Sequence, residues 1–428
     1  MVIAPRPTSL PAPASLASRP LHVAALAARD RAPQSARIQA LPGGLDATPV
    51  FNSNHPEIVK GPGIALSSLC GVGPAHLDRA FTGPFEIFTH HVNGTGKRVH
   101  QGIVLVNQGD RPVTVKLGPS ALRTGFYGLF FHLPRAADGL LKLAARDRDA
   151  TSGPGPAVAE AIINGERQRP ETQIVIAPGQ TFVLDSRRLD PWMVASSKWE
   201  LSSDGPVRAA VVFDQAPLDA RRARQVLEAN RLAARNPKDL APTKPGESSS
   251  RFIFGRVAGI QEGARWQGTL SNRPDGQAVV LGARPLELAW PIVTKRGHLL
   301  GTGQDQTAPV SQRLPDAAYA AHGNYGISYE LALPLRNDSD RTRRVELLLD
   351  SPKPTPGMPL AFSGPVELSW QDAAGKTHRQ VTRLNLRPES SGRIGSLELP
   401  PGATLNARVR IVYPGDATPP QILRLRVP

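Results

Sequence analysis

Histidine and carboxylate side chains gather in one early stretch of the chain: His55, Glu57, His76, Asp78, His90 and His91. Imidazole and carboxylate ligate zinc and similar ions, and an ion so held activates water for hydrolysis. Four of the ten histidines fall within 37 residues here. His76, Asp78, His90 and His91 are therefore the metal candidates, and a metal-dependent hydrolase using a divalent cation is one functional reading. Neighbouring side chains on a strand point to opposite faces, so His90 and His91 can share an ion only if a loop carries them. The reading taken first is plainer. These side chains hydrogen-bond to fix long loops, with no cofactor and no catalytic residue assigned.

Other mechanism-bearing patterns are missing or incomplete. Gly94-Thr95-Gly96-Lys97 looks like the end of a phosphate-binding loop. However, His91 stands where its first glycine belongs, and Arg98 stands where Ser or Thr should follow the lysine. No G-x-S-x-G elbow, H-E-x-x-H helix or EF-hand loop occurs. Cys70 is the only cysteine, which excludes an intrachain disulfide and a four-cysteine zinc site. Of the five tryptophans, Trp370 shares parity with Val366 and Leu368 and reads as packing, whereas Trp192 follows Pro191 in a loop-like stretch.

The elements that must position these residues are strands. Of the 428 residues, 43 are proline and 39 glycine, too many breakers for helical bundles but suited to short strands joined by turns. Leu405, Ala407, Val409, Ile411 and Tyr413 share one parity, with Asn406, Arg408 and Arg410 on the other. Val207, Ala209, Val211 and Phe213 form a second stripe, and Tyr329, Leu331 and Leu333 a third. Such alternation marks half-buried antiparallel strands. A repeat reinforces it. IVLVNQGDRPVTVKL at 103–117 and LALPLRNDSDRTRRVELLL at 331–349 each read as strand, Asn turn, strand. IVIAPGQTFVL at 174–184 and LELPPGATLNARVRI at 397–411 each read as strand, Pro-Gly corner, strand. The fold class expected is all-β, as two tandem immunoglobulin-like sandwiches with a short helical linker and small helical insertions.

The domain layout follows. Residues 1–40, rich in Pro, Ala, Ser and Arg, read as a disordered leader or a mis-mapped start, with Leu21–Ala28 too short and too late for a good secretory signal. The first sandwich spans 41–215, with helical stretches near Gly139–Arg146 and Val158–Ile163. A helical linker at 216–250 carries a helix over 219–235, capped by Asp219 and stopped at Asn236-Pro237. The second sandwich spans 251–428.

Charge bounds the partners. With 51 basic residues, of which 41 are arginine, against 36 acidic ones, the formal net charge is +15. The charge is spread along the chain rather than clustered, as on a solvated surface. A basic surface of this kind suits anionic polysaccharide, a lipid surface or another envelope protein. The arginines of 219–235 are not aligned in a stripe and no nucleic-acid-binding motif accompanies them, so no specific nucleic acid is expected. No apolar run reaches the roughly 18 residues of a transmembrane helix.

Several segments resemble one family. They are Leu41-Pro42-Gly43-Gly44-Leu45, the run from Pro49-Val50-Phe51-Asn52-Ser53-Asn54-His55-Pro56-Glu57 to Ile58-Val59, His90-His91 and Gly153-Pro154-Gly155. Gly323-Asn324-Tyr325-Gly326 and the closing Tyr413-Pro414 with Asp416-Ala417-Thr418-Pro419-Pro420-Gln421 complete the set. Together, over roughly 41–428, they resemble a cyanobacterial family of exported proteins known as domain of unknown function 3370. The resemblance implies export to the periplasm, cell surface or medium. It assigns no reaction and no site residues. The function expected is a non-enzymatic envelope or extracellular structural or binding protein. A module that offers a strand edge to a partner is a third reading.

Overall fold

The computed structural model describes residues 37–71, 73–126, 153–235, 241–247, 252–353, 362–372 and 374–428. The expected leader, but for its last residues, and the helical stretch near Gly139–Arg146 lie outside them. The regular elements of the described chain are mostly strands, with helices at Gly155–Ile163 and Ala220–Glu228.

The second half forms a sandwich. One sheet orders Arg37–Ile38, Leu286–Ile292, Gln421–Val427, Arg343–Ser351 and Ser390–Leu399. The facing sheet carries Arg265–Thr269, Ser328–Asn337, Thr404–Val412, Phe362–Gln371 and Thr377–Leu386 in that order. Leu331, Leu333, Val409, Ile411, Val366 and Leu368 meet Trp290, Leu347, Leu349, Leu423 and Leu425 between them in one buried cluster. Alternation puts the apolar parity inward, as the stripes require.

The first half turns on the 22-residue strand Met193–Asp214. Its opening part, 193–203, pairs with Phe81–Asn93 on one side and Val113–Phe126 on the other. Its closing part pairs instead with Val99–Val106 over 208–214 and with Gly63–Ser67 over 210–213. The register breaks between Ser203 and Val207. Ser203-Asp204-Gly205-Pro206 is thus a corner within one strand, which passes from one layer of the core to the other. Trp199, Leu201, Val207, Val211 and Phe213 line that core with Phe81, Phe85, Ile87, Ile103 and Leu105.

Pairing crosses the 216–250 segment in both directions. Ala258–Glu262 lies antiparallel to Pro49–Ser53 and extends the first-half sheet, and Ala308–Arg313 follows it. Conversely, Gly44–Leu45 pairs with Arg265–Thr269, and Arg37–Ile38 runs parallel to Leu286–Ile292. Each half donates strand to the other.

The Asn turns are equivalent to the atom. Asn107 Nδ2 donates to Arg111 O at 2.6 Å and Ile176 O at 2.9 Å, and its Oδ1 accepts Gly109 N–H. Asn337 Nδ2 donates to Arg341 O at 2.8 Å and Leu399 O at 2.9 Å, and its Oδ1 accepts Ser339 N–H. The Pro-Gly corners close on the same residues: Gly179 N–H donates to Asn107 O and Gly402 N–H to Asn337 O. Both glycines take the left-handed conformation, φ 68° and 70°, that a side chain disfavours. A third copy was missed in the sequence. Asn93, opening the Gly-Thr-Gly-Lys run, donates to Lys97 O and Leu189 O and accepts from Thr95 N–H.

Asp219 caps its helix, accepting Arg222 N–H at 2.7 Å, but the helix stops at Glu228 rather than at Asn236-Pro237. Asn230 takes a left-handed φ of 49° and turns the chain back, so that Leu232 bridges to Ile64. The helix is not a free linker. Ala223, Val226 and Leu227 pack on Ile64, Val104, Ala210 and Val212 of the first half.

Candidate functional site

The two halves of the chain meet along a polar seam. On Phe81–Asn93, Phe85, Ile87 and His91 point into the first core, and Glu86, Phe88 and His90 take the other parity. On Met193–Asp214 the residues Ser196, Lys198 and Glu200 share the outward parity and lie opposite His90, Phe88 and Glu86 in register. The outer face of the sheet that carries Arg265–Thr269, Ser328–Asn337 and Thr404–Val412 packs on them, bringing Arg265, Glu330 and Arg410.

At one end the seam is an ion network. The Lys198 ammonium bonds Glu86 Oε2, both side chains almost fully buried. Arg265 reaches Glu86 Oε1 at 2.9 Å, Glu200 Oε2 at 3.2 Å and Asp46 Oδ2 at 3.6 Å. Burial pushes the Glu86 carboxyl up and the Glu200 charge adds to it, against the pull of Lys198 and Arg265. For Asp46, burial is outweighed by the Thr48 hydroxyl and the backbone N–H groups of Ala264 and Arg265, which hold its carboxyl below the ordinary range.

At the other end stand the histidines. His91 Nδ1 lies 2.7 Å from Pro56 O and must donate to it, so Nε2, 2.9 Å from Ser53 Oγ, accepts. Burial drives this imidazole down to about 3, so it is neutral. His90 faces the second sandwich, its Nε2 3.9 Å from Asp416 Oδ1. Asp416 Oδ2 accepts Gly155 N–H at 2.6 Å, at the first turn of Gly155–Ile163, where a carboxylate complements the helix dipole. A Cβ on Gly155 would stand 2.4 Å from that oxygen, so the close approach requires glycine. Burial raises the Asp416 carboxyl, opposed by His90 and the Gly155 N–H. Ser196 Oγ and His90 Nδ1 are buried without a hydrogen-bond partner among the described residues, and Gly415 lies against both.

Serine, histidine and aspartate are the residue types of a nucleophilic triad. Here 3.9 Å between His90 and Asp416 exceeds a hydrogen bond, and Ser196 is fully buried. The geometry is that of a joint. The helix completes it: Ala159, Ile162 and Ile163 pack with Ala121 of the first half and Val412 of the second. Arg383 and Arg379 of the second sheet bond Glu160 and Ile163 O.

The predicted site residues are dispersed. His76 Nδ1 lies 2.9 Å from Ser67 Oγ, and burial lowers its imidazole. Asp78 pairs with Arg208 at 2.9 Å, with its carboxylate largely exposed. His90 and His91 point to opposite faces, as strand geometry dictates. Among the described residues no group of three or more His, Cys, Asp or Glu is placed to hold a metal. His55 Nε2 lies 3.2 Å from Asp316 Oδ2, which also bonds Arg235. Glu57 pairs with Arg256 of the second half. Glu86, Lys198, Ser196, Arg265 and Asp416 were not anticipated. The available signal was the repeated polar parity on two strands whose other parity is apolar.

The segments that carry the family resemblance converge here: Ser53 and Pro56 on His91, Gly155 and Asp416 on His90, and Gly326 against the Phe88 ring. A family model described as "Protein of unknown function (DUF3370)" matches residues 36–427. No curated protein matches. Among solved structures, the tandem CBM22-1–CBM22-2 domain of Paenibacillus barcinonensis Xyn10C is similar over 82% of this chain and 93% of its own, at 8% identity and a TM-score of 0.15. The PBSX exported protein XepA gives 82% and 84%, 8% and 0.15. The CUB1-EGF-CUB2 domain of human MASP-1/3 gives 80% and 99%, 8% and 0.17. At such TM-scores none of the three carries an argument. No helix among the described residues is long and apolar enough to cross a membrane.

Proposed function

This chain belongs to the DUF3370 family, and on that premise we propose that it is a non-enzymatic structural or binding protein of the envelope or the extracellular space, contacting anionic polysaccharide. In this reading it consists of two immunoglobulin-like sandwiches fused into one body. The observation that carries it is how the charges are divided. Largely buried ion pairs such as Arg265–Glu86 join the halves. The arginine surplus stands outside: Arg98, Arg188, Arg336 and Arg344 stay about half exposed or more even when paired, and Arg111 is almost fully exposed. Exposed pairs contribute about 0–1 kcal/mol each, so a polyanion can take over their arginines at little cost.

The test is co-sedimentation with an acidic polysaccharide such as polygalacturonate across a salt series. Binding should weaken steeply between about 50 and 300 mM salt as screening shortens the Debye length. Salt-independent binding, or none, would sink the reading. So would stoichiometric zinc, manganese or iron in protein purified without added metal, which would favour the hydrolase reading of His76, Asp78, His90 and His91.

A further inference from the structure

Beyond the seam lies a cluster of cations and rings. Lys295 Nζ sits over the Phe254 ring at 4.8 Å, and the Arg296 guanidinium over Phe252 at 4.4 Å. The two phenylalanines meet edge to face at 5.0 Å, and the His322 ring closes on them at 4.8 and 5.8 Å. A tight turn fixes the pair of cations: His298 N–H donates to Lys295 O at 2.8 Å, and Val293 just before takes a left-handed φ of 61°.

The charges around this cluster do not balance. Lys295 is 5% exposed, yet its ammonium has no ion pair with an acid among the described residues, and neither has Arg296. Arg256 faces Lys295 but is engaged by Glu57. Asp305 faces His322 and spends one oxygen on Thr307 N–H and Oγ1. His298 faces Lys295 as well. Burial, with Arg256 adding, brings the Lys295 ammonium down to about 8, and burial takes His322 to about 4, so the ring carries no charge at neutral pH. A buried cation without a counter-ion is costly, and ring faces offset only part of that cost.

We propose that Lys295 and Arg296, held on Phe252, Phe254 and His322, form a binding site for an oxyanion group, carboxylate or sulfate, of an acidic polysaccharide. The site deepens the function proposed above and rests on it for the polymer. An oxyanion supplies the missing counter-charge. The guanidinium offers paired donors to it, the ammonium a point charge, and the rings an apolar wall for a sugar.

Polygalacturonate and dextran sulfate separate the carboxylate from the sulfate source, with neutral dextran as control, titrated against the full chain and its Lys295→Met, Lys295→Arg and Arg296→Gln variants. Arg296 is exposed, so Arg296→Gln leaves the fold intact, and Lys295→Arg restores the charge. Expected are a tenfold or greater weakening in Lys295→Met and Arg296→Gln, and less than twofold in Lys295→Arg. The Lys295 amine, followed by lysine-labelled NMR, should also titrate at higher pH with sulfate or acetate present. If the wild type binds polymer and the variants bind equally well, the site is overturned and the proposed function stands. If no polymer binds but small oxyanions move the Lys295 titration, the site stands and the function falls. No response to either overturns both.

Discussion

At the scale of single residues, the strongest commitments are the charges buried in the seam. Lys198 and Glu86 are both almost fully buried, so removing one leaves the other uncompensated. Lys198→Met should therefore lower unfolding stability by about 3–5 kcal/mol, read from urea midpoints at constant m. Replacing both, Lys198→Met with Glu86→Leu, should recover most of the loss, because apolar pairs of similar volume often substitute without cost. A double variant as unstable as the single one would show that Arg265 needs Glu86 in its own right.

His91 sets a pH dependence of known sign. Its folded-state value, about 3, lies below the 6.5 of a free imidazole. Its contribution to stability is thus fully present above pH 6.5 and is lost as pH falls from there toward 3. Asp416 and Glu86, both raised by burial, act in the opposite sense near and above the ordinary carboxyl range. The imidazole's share is isolated by difference: between pH 6 and 4 the wild type should lose stability faster than His91→Gln, by up to about 1.4 kcal/mol per pH unit. Parallel curves would mean that the His91 ring is protonated in the folded protein.

At the scale of elements, the sequence was legible wherever a local rule decided the outcome. The stripe from Leu405 to Tyr413 faces inward, and Asp219 caps its helix because a carboxylate can reach the free N–H groups of the first turn. The Asn turns were visible as a repeat, but their job was not. Asn107 and Asn337 each tie a strand end to a Pro-Gly corner tens of residues away, and only the folded pairing shows that. Asn93 escaped notice because its corner lacks Pro-Gly, and Trp192 takes the left-handed conformation there instead. If the three are one device, Asn337→Ala and Asn93→Ala should each cost about 2–3 kcal/mol, since each leaves buried backbone groups without partners. Asp219→Ala, at the exposed cap, should cost about 1 kcal/mol. Equal losses at cap and turn would remove the distinction.

At the scale of the whole molecule, what the sequence could not display is long-range exchange. Parity locates strands but says nothing of which strand lies beside which, so Ala258–Glu262 reads as the start of the second half although it pairs with Pro49–Ser53 of the first. The seam was hidden for the same reason: His90 and Asp416 are more than 300 residues apart, and nothing local to either predicts the other. The exchange has a thermodynamic consequence. Each half closes its sheets with strand from the other, and buried charges such as Glu86 find partners across the boundary in Arg265. Neither half then has a complete folded state to retain after the other melts, and the chain should unfold in one cooperative transition with matching calorimetric and van't Hoff enthalpies. Fragments ending and beginning near residue 247 should show weak near-ultraviolet circular dichroism alone and regain it when mixed. Two resolved transitions, or a fragment that folds by itself, would mean that the exchanged strands decorate two independent sandwiches rather than complete them.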